Sequence, residues 1–135
     1  MAIRRRILAL LVATLPLVAF AGPKGDFLLH CGGCHRPDGS GAPPEVPDMR
    51  NELGWIAESQ AGRDYLVQVP GSSQAPLDDA ELAAVVNWIL TEFNADTLAD
   101  DFKPLSEQEV AQARSRILMD PLKFREALWR AYSVD

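Results

Sequence analysis

Five residues limit this chain more than anything else in it: Cys31-Gly32-Gly33-Cys34-His35. They hold both of its cysteines and one of its two histidines. Thiols at i and i+3 lie on one side of a helical turn, and an imidazole follows at once. A thioredoxin-like dithiol would need a βαβ pattern around it, which the sequence lacks. A structural zinc takes four ligands, and beyond these three only His30 is at hand. A disulfide across two glycines would leave His35 without a role. Addition of both sulfurs to the two vinyl groups of one haem, with the imidazole reaching the iron, uses all three groups. C-x-x-C-H is the pattern of c-type haem attachment, so the expected cofactor is one covalent haem c held by Cys31 and Cys34, with His35 as axial iron ligand.

The start of the chain reads as an address. Arg4, Arg5 and Arg6 precede an apolar run over residues 7–20, and Ala19-Phe20-Ala21 supplies the small-x-small pattern of a signal peptidase site. A run of fourteen residues interrupted by Thr14 and Pro16 is too short to span a bilayer comfortably. Residues 1–21 are therefore expected to be a signal peptide cleaved after Ala21, with the periplasm as destination, where c-type haem is attached. What remains has ten Lys+Arg against 19 Asp+Glu. An acidic chain argues against nucleic acid, whose phosphates require clustered cations. The length of 135 residues suits one domain with an extension and excludes barrels, doubly wound dinucleotide folds and repeat arrays.

The flanks of the motif extend the pattern. Phe27 stands four residues before Cys31, Asp38-Gly39-Ser40-Gly41 follows His35, and Pro47 lies twelve residues beyond the histidine. Asp78 with Glu81 makes a capping box, and Leu82, Val85, Val86, Ile89 and Phe93 then form one apolar helical stripe. Residues 53–59 and 63–69 read as shorter helical pieces joined at Gly62. From Phe27 to Phe93 the chain resembles the small monohaem class I cytochromes c of bacteria. The resemblance implies an all-α fold around one haem and a Phe27 helix crossed by an aromatic of the closing helix, for which Trp88 is the counterpart. It also implies that the Pro47 carbonyl accepts the N–H of the axial imidazole, which fixes the tautomer and strengthens the donor.

At the sixth iron ligand the sequence departs from that family. The family takes a methionine from the loop before the closing helix, and here residues 67–75 contain no Met, His or Lys. Met49 is one candidate, although it occupies a position where the family packs a leucine against the axial imidazole. Met119 is another, on an apolar stretch of the C-terminal extension after Ile117 and Leu118. His30 adjoins Cys31 and is expected to point away from the iron.

The expected domains are the haem domain over residues 22–101 and a helical extension over 102–135. The first carries 14 acids against Lys24, Arg36, Arg50 and Arg63, whereas the second is nearly balanced. In the extension, Ser106 with Glu109 forms a second capping box. Val110, Ala113, Ile117 and Leu118 give a helical stripe, and Asp120-Pro121 starts a last helix. That segment is read as a clamp over the haem domain, with partner docking or membrane-surface contact as alternatives.

The resemblance implies an electron carrier and not an enzyme. It would move single electrons from a periplasmic dehydrogenase to a downstream acceptor, docking on a basic patch of its partner. The Met-free loop keeps two other readings open. One is a five-coordinate haem protein that binds CO, NO or peroxide; the other is a haem subunit completed inside a dehydrogenase complex.

Overall fold

The aromatic spacing of the sequence becomes a cluster of three rings. Phe27, fully buried, lies 5.1 Å from Trp88 and 5.5 Å from Phe93, and those two rings are 5.3 Å apart. These rings join the first helix to the closing one in a computed structural model that describes residues 22–132. The signal-peptide reading of residues 1–21 lies outside the described residues. Those residues form an all-α arrangement with no strand, apart from an isolated bridge between Ala42 and Val46. The helices are α1 (Gly22–His30), α2 (Gly32–His35), α3 (Leu53–Ile56), α4 (Gln60–Gln68), α5 (Pro70–Ser73), α6 (Asp79–Phe93), α7 (Glu107–Arg114) and α8 (Pro121–Tyr132). None is long and apolar enough to cross a membrane.

Helix α6 is the spine. Its capping box is complete: the Asp78 carboxylate accepts from Glu81 N, and the Glu81 carboxylate accepts from Asp78 N. Leu82, Val85, Val86, Ile89 and Leu90 are all buried along it. It packs on α1 through one side and on α7 through another. Its C-terminus is tied down by Asn94, a fully buried side chain whose Oδ1 accepts from Leu53 N at 2.9 Å. The Asn94 Nδ2 donates to the Met49 and Ile89 carbonyls at 2.9 and 3.2 Å.

Two elements differ from the sequence expectation. Gly62 does not separate two helices but lies inside α4, where a β-carbon would collide with the Ile56 carbonyl oxygen. Its lack of a side chain serves close packing of α4 against α3, not a break. Helix α7 stops at Arg114, so Ile117 and Met119 are 86% and 88% exposed and continue no buried stripe. Arginine contacts, among them those of Arg63 and Arg114, bind the last segments to the helices before them. Arg63 pairs with Glu109 at 2.8 Å. Arg114 donates to the carbonyls of Ser73, Ala75 and Leu77 and pairs with Asp79 at 2.9 Å.

Candidate cofactor site

The C-x-x-C-H run follows α1 at once, with Cys31 capping α2 and the other four residues forming it, and local backbone bonds set the attitude of its side chains. Cys31 N donates to the Phe27 carbonyl at 2.8 Å, and His35 N donates to the Cys31 carbonyl at 2.9 Å. This one-turn helix carries both thiols and the imidazole to the same crevice. After His35 the chain must reverse sharply. Arg36, Gly39 and Gly41 all take positive φ, at 57°, 77° and 63°. Gly41 is the tightest point: a β-carbon there would sit 2.5 Å from the Pro47 carbonyl oxygen. The Asp38 carboxylate supports the turn by accepting from Ser40 N and Ser40 Oγ at 3.1 and 2.8 Å.

The turn brings Pro47 back to the histidine. His35 Nδ1 lies 3.0 Å from the Pro47 carbonyl oxygen, so Nδ1 carries the proton and Nε2 is left with its lone pair. Burial lowers the pKa of His35, against the raising effect of the Pro47 bond, and the Arg125 charge lowers it further. The neutral, ligating form is thereby favoured. Burial, with Cys34 nearby, pushes the Cys31 thiol up.

The crevice itself is a cavity of about 440 Å³, inside the range of roughly 300–1,000 Å³ usual for cofactor clefts. Leu53, Leu66, Leu82, Val85, Val86 and Ile89 give it apolar walls. Two thiols and one imidazole at its edge, with a greasy interior beyond, fit a flat apolar macrocycle attached through sulfur. They do not fit a cation cage: no group of three or more His, Cys, Asp or Glu poised for a metal ion occurs among the described residues. Cys31, Cys34 and His35 would hold the haem, and the iron would supply a one-electron couple.

The loop before α6 also lines the crevice, through Val69, Pro70, Gly71 and Ser72. Of the two methionine candidates, Met49 lies in the crevice wall and Met119 does not. Met49 N donates to the Gly39 carbonyl at 2.9 Å, which ties it to the stretch that carries Pro47. His30, expected to face away, lines the crevice half-buried. Three participants were not legible as such in the sequence: Asn94, which holds the Met49 carbonyl, and Tyr65 and Arg125, which line the crevice. A lone Asn after a helix reads as a simple cap, and nothing local in 121–132 ties Arg125 to a site ninety residues earlier.

Comparison with known proteins agrees with this architecture. A family model described as Cytochrome c matches residues 24–92. The chain is 31% identical over 134 residues to a cytochrome c-552 of Thermus thermophilus, covering 85% of this chain and 89% of that one. A second Thermus thermophilus cytochrome c-552 is 32% identical over 106 residues, covering 65% of this chain and 81% of its own.

Proposed function

Since this chain belongs to the cytochrome c family, a haem electron carrier and not an enzyme, we propose that it works in the periplasm as a single-haem shuttle. It takes electrons one at a time from a dehydrogenase and passes them to an acceptor. The observation that carries this reading is the meeting of both thiols and a Pro47-oriented imidazole at one apolar crevice. With a single C-x-x-C-H run, one haem per chain is the expected load. Export rests on the charged, apolar and small-x-small order of residues 1–21. Net charge of −6 suits a partner that offers a basic docking patch.

A second reading is favoured by one observation. The crevice residues contributed by the loop before α6 are Val69, Pro70, Gly71 and Ser72, and none is a strong ligand for haem iron. Met49 stands on the same stretch as Pro47, whose carbonyl holds His35, so it would serve beside that imidazole as packing more naturally than as a second iron ligand. On this reading the sixth position is open to a small exogenous ligand or is completed by a partner.

The visible spectrum of the holoprotein, oxidised, reduced, and reduced under CO, decides between them. A closed carrier gives sharp low-spin reduced bands that ignore CO, and Met49→Ala or Met119→Ala then identifies the ligand by abolishing them. A high-spin spectrum that shifts promptly under CO, unchanged in Met49→Ala, establishes the open site.

A further inference from the structure

Helix α8 delivers one cation to the haem crevice. Arg125 lines it beside Pro121 and Leu122 of the same helix, and its side chain is only 17% exposed. The helix is anchored where it crosses α3 and α4. Phe124 stacks on Tyr65 with ring centroids 6.0 Å apart, and Trp129 meets Trp55 edge-on at 6.2 Å. Tyr65 is itself buried and lines the same crevice, near enough to Arg125 for the guanidinium charge to act on its phenol. Burial raises the Tyr65 pKa, against the lowering effect of the arginine, so the phenol keeps its proton and can donate.

The carboxylates around Arg125 match it only loosely. Glu52 lies 3.6 Å away, beyond hydrogen-bond range, and is 44% exposed to water. Asp48 feels the Arg125 charge, but its two oxygens are taken up by Arg50 at 3.0 and 2.7 Å. A guanidinium has five donors in a planar fork, and shielding it from water is costly unless an anion meets that fork. The cofactor carries such anions. A haem bears its two propionates on the half of the macrocycle opposite the vinyl groups. Cys31 and Cys34 would tether the vinyl half at α2, which packs on α1, and α1 packs on α6, whereas Arg125 arrives from α8, which packs on α3 and α4.

We infer that Arg125, with the phenol of Tyr65 beside it, binds a haem propionate, so that the C-terminal helix is part of the cofactor site and not only a cover. The inference rests on the haem reading above. Arg125 acts here as a positioning and charge-setting residue. A fixed cation at the haem edge disfavours the oxidised, more positive state, and its removal lowers the midpoint potential.

The test uses the mature holoprotein, with the midpoint potential and the propionate bending modes in resonance Raman as readouts. Arg125→Gln is expected to lower the potential and shift a propionate mode. Arg125→Lys keeps the charge but not the fork, so the potential stays near that of the parent while the mode still shifts. Tyr65→Phe shifts the mode without a change of charge. Arg130→Gln, which removes an equal charge from the exposed side of α8, leaves both readouts unmoved. Propionate modes unchanged in all three crevice variants would overturn the inference. So would an Arg130→Gln shift in potential as large as that of Arg125→Gln, since the effect would then be one of overall charge. Should Arg125→Gln fail to mature, Arg125→Lys and Tyr65→Phe still report on the mode. A parent protein that carries no covalent haem would sink the haem reading itself, whereas a haem-loaded parent with indifferent variants sinks only this one.

Discussion

Asn94 shows how much of the site hangs on single side chains. Fully buried, it closes α6, accepts from Leu53 at the start of α3, and donates to the carbonyl of Met49 in the crevice wall. Asn94→Ala would leave a buried N–H and two carbonyls without this partner, at a cost of about 1–3 kcal/mol in urea unfolding of the holoprotein. Asn94→Asp keeps the acceptor for Leu53 but turns a carboxylate toward two carbonyl oxygens. It is expected to destabilise at neutral pH and to recover partly as acid protonates it; equal stability of Asn94→Asp and the parent at pH 7 would refute the network. Residues of this kind resist reading from sequence because their partners lie about forty positions away. His35 and Pro47 were legible in spite of their separation, because the resemblance to a known family supplied the pairing that spacing alone does not. Gly62 departs from the sequence expectation for a physical reason. A glycine between two apolar segments signals a break as readily as a close helix contact, and only the position of the Ile56 carbonyl distinguishes them.

At the scale of elements, self-contained signals were legible and those that needed a neighbour were not. Asp78 with Glu81 both starts and caps α6, and Asp120 Oδ1 accepts from Lys123 N at the start of α8. By contrast, apolar Ile117 and Leu118 suggested that α7 runs on, whereas the helix ends where Arg114 turns to the loop before α6. The link from α7 to α4 also has a pH signature. The Arg63 guanidinium bonded to Glu109 holds that carboxyl below its ordinary pKa, and both groups are mostly shielded from water. A carboxyl whose folded pKa is depressed contributes stability that is present above its unfolded pKa and is lost as pH falls through the folded one. Stability of the parent relative to Glu109→Gln should therefore be greatest near neutrality. It should shrink from roughly pH 5 downward, the range in which carboxylates take up protons. Urea titrations of both proteins at a series of pH values measure this, and a difference independent of pH would assign the effect of Glu109 to packing.

For the whole molecule, charge is distributed unevenly along the chain. The 14 acids of residues 22–101 face few cations there, and several cations of the extension are spent internally, Arg114 on Asp79 and Arg116 on Asp64. Electron exchange with a cationic partner should consequently slow as ionic strength rises from about 0.01 to 0.15 M, where the screening length shortens from roughly 30 to 8 Å. Stopped-flow rates across that range check it, and a flat profile would remove charge from the account of docking. The Arg114 clamp has a consequence of another sort. Its guanidinium reads backbone carbonyls of residues 73, 75 and 77, not their side chains. The fork thus constrains how many residues stand here independently of which they are, and Ala75 and Leu77 are held separately by their burial in the core. One residue more or fewer would move the carbonyls off a fork whose reach is fixed by α7. The stretch acts as a ruler, so that a new iron ligand would enter it by substitution more readily than by insertion.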